Sequence, residues 1–272
     1  IKAIKMKIIK NQPFEVCKER SYVNCISQGL SHGTENVGFV WKNLWPVFVL
    51  NLFVNFPVSL FLWVAIAVLM PKWSEMGYVP RMTWKDQWPV AWKAFCRMLP
   101  LLGVSIFVAS LCFAAFYLIG LSASLAHWAV FGGVALLMFV FLIPFEWVKL
   151  QLLYSDKNVK KCFAEYKVGL RNFSKLFSFY LLLGMMVLLV LAIASVPLVV
   201  QMLVLQQVNV AEANGDIALV PWYFWLLFFL SSVIATAVMF YVQVLFSHAE
   251  YLFWGCISAS EKSRESVEEI PA

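Results

Sequence analysis

The feature that most constrains the fold is a long segment without any charged side chain or histidine, from Phe177 to Leu205. About 20 apolar residues are enough to cross the hydrocarbon core of a bilayer. Lipid offers the backbone no hydrogen-bond partners, so a continuous apolar segment of this kind satisfies its own amides and carbonyls as a helix. The segment therefore predicts a membrane-spanning helix.

Four further apolar segments indicate that the chain crosses the membrane more than once. They cover residues 45–70, 99–121, 127–145 and 222–246. The whole sequence is 62% hydrophobic and only 13% charged, whereas soluble domains average roughly 45–50% and 25%. We predict an all-α polytopic integral membrane protein with about five hydrophobic segments in a membrane domain at 45–254.

The two ends of the chain differ in character from this membrane domain. Residues 1–44 carry seven Lys and Arg among apolar residues, which is typical of a basic amphipathic segment at a membrane interface. Residues 255–272 are rich in charge and serine towards their end and offer little to bury, so they are predicted to form a disordered tail.

A basic amphipathic helix is predicted immediately before the segment at 177–205. Apolar residues recur from Val159 to Phe177 at spacings of three and four, which defines one face of a helix. Lys167, Arg171 and Lys175 repeat every four residues beside that face. Such a cationic row is typical of a helix that lies on anionic head groups, so anionic lipids are the expected partner.

The distribution of Lys and Arg predicts the orientation. Residues 71–98 carry five, residues 147–176 carry seven and the tail carries two, whereas 122–126 and 206–221 carry none. This pattern predicts a bacterial cytoplasmic membrane with the carboxyl terminus in the cytoplasm. Five single spans would then leave the basic amino-terminal segment outside, unless residues 45–70, which contain Pro57, form a re-entrant element. Both alternatives remain open from the sequence.

Few residues are candidates for chemistry. Glu146 follows the third apolar segment, and His248 and Glu250 follow the last, so all three are predicted to lie in the same leaflet. Carboxylates and an imidazole can bind a metal or transfer a proton. The alternative is that they form interfacial hydrogen bonds to the region of Lys149 and Lys157 or to lipid. Asn51 and Asn55, four residues apart, could line a polar path or bond to a neighbouring helix.

Other functions find no support in the sequence. No cofactor fingerprint, metal-binding spacing or nucleotide-binding loop occurs, so no cofactor is expected. The cations are dispersed among membrane segments, which disfavours nucleic acid as a partner. Six cysteines without a Cys-x-x-Cys pair are expected to be small buried residues.

The order of two motifs resembles uncharacterised bacterial polytopic membrane families. The first is Ile143-Pro-Phe-Glu-Trp-Val148, and the second is Gly169-Leu-Arg-Asn-Phe-Ser-Lys-Leu-Phe177 at the end of a basic amphipathic helix, before a long span. This order resembles YciC-like proteins and the membrane domain attached to some glycerophosphodiester phosphodiesterases. The resemblance implies a helical membrane domain, typically of six spans, and carries no catalytic residue over.

These observations lead to three functional hypotheses. The first is a non-enzymatic scaffold or accessory subunit that engages lipid or another membrane protein. The alternative is a transporter or channel, which a cavity near Asn51 and Asn55 would favour. The third is a membrane enzyme that acts on lipid head groups through Glu146, His248 and Glu250.

Overall fold

The computed structural model describes residues 16, 18, 20–53, 58–75, 84–120, 125–215 and 220–268. Within these residues, the regular structure consists of nine α-helices. In chain order they are α1 (Tyr22–Glu35), α2 (Val37–Phe53), α3 (Val58–Glu75), α4 (Trp84–Gly120), α5 (Leu125–Tyr154), α6 (Val159–Ala164), α7 (Tyr166–Arg171), α8 (Phe173–Ala213) and α9 (Trp222–Glu268). The prediction of an all-α polytopic membrane protein is confirmed.

Three helices of this described part are long and apolar enough to cross a membrane. The apolar stretches cover Trp88–Ala114 in α4, Phe173–Ala213 in α8 and Trp222–Arg264 in α9. The 41 residues of α8 extend over about 62 Å at 1.5 Å per residue. This is twice the ~30 Å of a hydrocarbon core, so α8 continues beyond the apolar layer.

The segment at 45–70 belongs to two short helices. α2 and α3 contain 17 and 18 residues, or about 26 Å each, and lie on either side of residues 54–57. Val40 near the start of α2 and Leu69 near the end of α3 lie in the same apolar cluster. A hairpin of two short helices therefore describes this region better than one straight span. Asn55 and Pro57 lie outside the described residues.

The predicted amphipathic helix is divided into three pieces. Glu165 separates α6 from α7, and Asn172 separates α7 from α8. Both junction residues have backbone angles that depart from the α-helix, with ψ 3° at Glu165 and ψ 20° at Asn172. These junctions let the short helices turn to follow the side of α5, which a single straight helix could not do.

The packed core lies at one end of the molecule. Its largest cluster combines buried residues of α1, α5, the first turns of α8 and the last part of α9: Cys25, Ile26, Ile143, Trp147, Leu150, Leu176, Phe179, Leu183, Ala249, Leu252, Phe253, Cys256 and Ile257. The remaining halves of α8 and α9 expose apolar side chains such as Leu188, Ile193 and Ile234. Gln201 Nε2 donates to Ser231 Oγ at 3.2 Å between these halves. The outer halves thus form a helical pair whose apolar surface suits contact with lipid.

α1 is held against α9 by close backbone packing. A Cβ atom built on Gly29 would lie 2.6 Å from both Cα and N of Ala249, and one built on Gly33 would collide with Leu245. Two glycines four residues apart allow two helices to approach this closely. The start of α1 contacts the end of α9, since Cys256 Sγ donates to Arg20 O at 2.9 Å. The start of α1 therefore lies at the core end of the molecule.

The tail differs from the prediction of disorder, because α9 continues as a helix through residues 255–268. The reason is the carboxylate of Glu261, a buried residue that exposes only 8% of its surface. Asn172 Nδ2 donates to Glu261 Oε1 at 3.0 Å, and Arg171 forms an ion pair with the same side chain. These contacts attach the end of α9 to the junction between α7 and α8.

Candidate functional site

The two motifs that carry the family resemblance lie against each other. Gly169 on α7 packs directly on Pro144 of α5, and a Cβ atom at position 169 would lie 2.6 Å from the Pro144 carbonyl oxygen. Beside this contact, the rings of Phe145 and Tyr166 have centroids 4.7 Å apart. The glycine allows α7 to pack close to α5, and this packing holds the α5 segment that carries Glu146 and Lys149.

The site is a charged cluster centred on Lys149. Its Nζ lies 2.6 Å from Glu146 Oε2 on the same helix and 2.9 Å from Glu250 Oε1 on α9. The spacing of three residues places Glu146 and Lys149 on the same face of α5. With all three groups ionised, the cluster carries a net charge of −1.

Two aromatic rings complete the cluster. Nζ of Lys149 lies 4.8 Å from the ring centroid of Tyr180 on α8 and 5.7 Å from that of Trp63 on α3. Both distances are within the ~6 Å of a cation–π contact. The cluster, which we call the Lys149 cluster, therefore joins side chains of α3, α5, α8 and α9.

The structure brings two of the three predicted polar residues together. Glu146 and Glu250 share the ammonium group of Lys149, a residue that the sequence identified only as a nearby cation. His248 lies two residues before Glu250, and positions two apart in a helix differ by about 200° around the axis. Its buried ring faces elsewhere, with Nδ1 2.9 Å from Val244 O.

His248 interacts electrostatically with His32 on α1. Burial lowers the pKa of the His32 ring below its usual 6.5, although Glu35 acts in the opposite direction. Protonation of His32 is therefore disfavoured beside a second imidazole. This histidine pair belongs to the contact between α1 and α9.

The predicted cationic row has two different environments. Lys167 and Lys175 are exposed, as an interfacial role requires. Arg171 is also exposed in part, but its guanidinium pairs with Glu261. Two of the three cations are therefore better placed than the third to meet lipid head groups.

Several clefts between described residues adjoin the Lys149 cluster, and three of them bear on its function. The first, the α4–α5 cleft, has a volume of about 360 Å³, and its lining includes Glu146 and Lys149. The second, the α5–α8 cleft, has a volume of about 540 Å³ and is lined by Glu146 and Tyr180 at its polar end. Glu146 lines both, so its carboxylate lies where the two clefts meet.

The third cleft, which we call the Asn51 cavity, is more polar. It has a volume of about 330 Å³, and its polar lining residues are Asn51, Gln243, Ser247 and Glu250. Nε2 of Gln243 is buried without a hydrogen-bond acceptor among the residues that the structure describes. The cavity adjoins the Lys149 cluster at Glu250 and Trp63.

The residues that sequence reasoning missed are Trp63 and Tyr180. It named the region of Lys149 as a hydrogen-bonding partner but did not predict that Lys149 is the centre of the cluster. Lys149 was detectable as a lysine three residues after Glu146 at the end of an apolar segment, which is unusual for an unpaired cation. Trp63 and Tyr180 carried no such signal, because aromatic residues occur throughout this chain.

Comparisons of the chain with protein-family models, with curated proteins and with solved structures give no match. The arguments for function therefore come from the residues and their geometry.

Proposed function

We propose that the protein is a non-enzymatic component of a bacterial cytoplasmic membrane, a scaffold or accessory subunit that engages lipid or another membrane protein. The observation that carries this proposal is the Lys149 cluster. Its ammonium group is bound by carboxylates from α5 and α9 and by rings from α3 and α8. Ion pairs and cation–π contacts that converge on one ammonium group in this way fix four helices relative to one another.

The apolar outer halves of α8 and α9 support the same proposal. Only 6% of an 18-residue apolar stretch of α8, and only 11% of such a stretch of α9, is buried inside the protein. Such a surface is suited to lipid and to the helices of another membrane protein.

The orientation is proposed from charge and packing together. Exposed cations lie on α6, α7 and the first turn of α8: Lys160, Lys161, Lys167 and Lys175. The end of α9 contacts this region through Glu261, and the start of α1 contacts the end of α9. We place this end in the cytoplasm. The re-entrant alternative for 45–70 fits this arrangement, because it lets both ends of the described chain lie on one side.

The first experiment asks whether the Lys149 cluster is a structural tie. Lys149→Met leaves two carboxylates side by side, so we expect a loss of stability of about 3–5 kcal/mol. Adding Glu146→Gln and Glu250→Gln removes the unpaired charges and should recover most of that loss. Lys167→Met, on an exposed lysine, is the matched control. Thermal unfolding in mild detergent measures the stability of Lys149→Met, of the triple variant and of the control.

The second experiment identifies what the folded protein retains. Wild type and the triple variant are purified in mild detergent, and bound proteins and lipids are identified by mass spectrometry. A stoichiometric protein or phospholipid retained by both supports a scaffold whose cluster is structural. An activity or solute flux that the triple variant loses while it remains folded would contradict the proposal.

A transporter is the second candidate, and the Asn51 cavity is the observation that favours it. Buried Gln243 Nε2 and the Glu250 carboxylate could bind a polar solute there. Flux in reconstituted vesicles that Gln243→Leu abolishes would establish this candidate.

A further inference from the structure

We infer that the protein binds one phospholipid with a primary-amine head group, whose ammonium contacts Glu146 and whose acyl chains occupy the α4–α5 and α5–α8 clefts. This inference rests on the proposed function and names the lipid class. It starts from the position of Glu146, the residue that lines both clefts.

The charge of the Lys149 cluster selects the head group. Lys149 is the partner of two carboxylates, so one negative charge remains. The Glu146 side chain is 38% exposed and that of Glu250 only 9%, so Glu146 is the carboxylate that a ligand can reach. An ammonium group complements it, and an anionic head group is repelled.

Hydrogen bonding narrows the class further. A primary ammonium has three N–H donors for a carboxylate, and charge-assisted hydrogen bonds are stronger than neutral ones. A quaternary ammonium has the same charge but no N–H donor. The site should therefore prefer ethanolamine to choline.

The two clefts have the dimensions for acyl chains. The α4 wall of the first cleft runs from Phe95 to Cys112. Leu101 packs with Val148, so Glu146 lies beside the middle of this wall, and the part from Leu102 to Cys112 covers about 15 Å at 1.5 Å per residue. The α8 wall of the second runs from Phe177 to Leu188, or about 16 Å. One leaflet contributes about half of the ~30 Å hydrocarbon core. Beyond Glu146, each wall therefore extends over about the depth of one leaflet.

The experiment is native mass spectrometry of the full chain with equal amounts of three phospholipids that carry ethanolamine, choline and anionic glycerol head groups. We expect ethanolamine lipid to be retained at least fivefold over the anionic lipid, with choline lipid between them. Glu146→Gln should remove this preference. Anionic lipid in excess, or equal retention of all three, would overturn the inference.

A second variant tests the clefts without touching the charges. Gly184 lines the α5–α8 cleft, and nothing lies within 4 Å of a Cβ atom built there. Gly184→Leu should therefore fill the cleft, leave the fold intact and reduce bound lipid at least fivefold. Gly103→Leu, equally uncrowded on α4 but outside both clefts, is the matched control. Unchanged lipid retention in Gly184→Leu would refute the inference, even if Glu146→Gln does not fold.

These results also separate the inference from the proposed function. Retention of lipid without head-group preference refutes the inference and leaves the scaffold proposal in place. Retention of neither lipid nor a protein partner counts against both.

Discussion

The contact between α1 and α9 permits a quantitative prediction at Gly29. In Gly29→Ala, the new methyl group would lie 2.6 Å from backbone atoms of Ala249, so the helices must separate by about 0.8 Å to reach an ordinary contact of 3.4 Å. Forcing an extra methyl group into a packed interface typically costs about 1–3 kcal/mol. The backbone of α9 cannot rotate away as a side chain can, so we expect Gly29→Ala to cost about 1–3 kcal/mol of packing energy.

Buried Cys25 reports this separation, because it lies on the α1 face that contacts α9. A loss of about 1–3 kcal/mol raises the population of the open state roughly 5- to 150-fold. We expect the rate of N-ethylmaleimide labelling at Cys25, followed by peptide mass spectrometry in mild detergent, to rise at least fivefold.

Two other glycines provide the controls. At Gly33 the crowding atom is the end of the flexible Leu245 side chain, which can move, so Gly33→Ala should change the rate less than Gly29→Ala. Gly103→Ala meets nothing within 4 Å and should not change it. If Gly29→Ala labels within twofold of wild type, or if Gly33→Ala labels as fast, the packing argument is refuted.

Three further predictions concern the end of the molecule that holds the packed core. Glu261→Ala removes the acceptor that Asn172 and Arg171 share, so hydrogen exchange over residues 258–268 should accelerate by the equivalent of about 1.5–3 kcal/mol; unchanged exchange would show that the helical tail does not need these contacts. Replacing Lys167 and Lys175 with Gln should weaken the contact of α7 and the first turn of α8 with anionic lipid by up to about 2 kcal/mol, since each cation contributes about 1 kcal/mol. The loss should be measurable as faster hydrogen exchange of residues 166–176 in anionic nanodiscs, and an equal acceleration in neutral nanodiscs would contradict a lipid role. An impermeant thiol reagent should not label Lys160→Cys in intact cells but should label it after permeabilisation, whereas native Cys162 and Cys256 are buried and cannot report sidedness.

The fold class was predictable because it depends on local composition. The uncharged segment from Phe177 to Leu205 can satisfy its backbone only as a helix, whatever surrounds it. Contacts between distant residues were not predictable in this way. Glu261 lies in a polar sequence that indicates disorder, and it is ordered by Asn172, a residue 89 positions earlier.

The candidate site also combines features that the local sequence indicates with contacts that it does not. The positions of Glu146 and Glu250 after apolar segments drew attention to two residues that share Lys149 in the structure. Depth alone did not distinguish His248 from Glu250, since that distinction depends on which helix packs against each face of α9. The role of Lys149 required the knowledge that α5 and α9 are neighbours.

The pairing of α1 with α9 has a consequence for the order in which the protein is made. Arg20 and Cys256 are 236 residues apart in the chain, so at about 5–20 residues per second α1 leaves the ribosome roughly 10–50 s before its partner exists. During that interval the surface around Gly29 and Gly33 has no α9 to cover it. An amphipathic helix can remain at the membrane surface during this interval. The core can be completed only when synthesis of the chain is nearly finished, because α9 is its last helix.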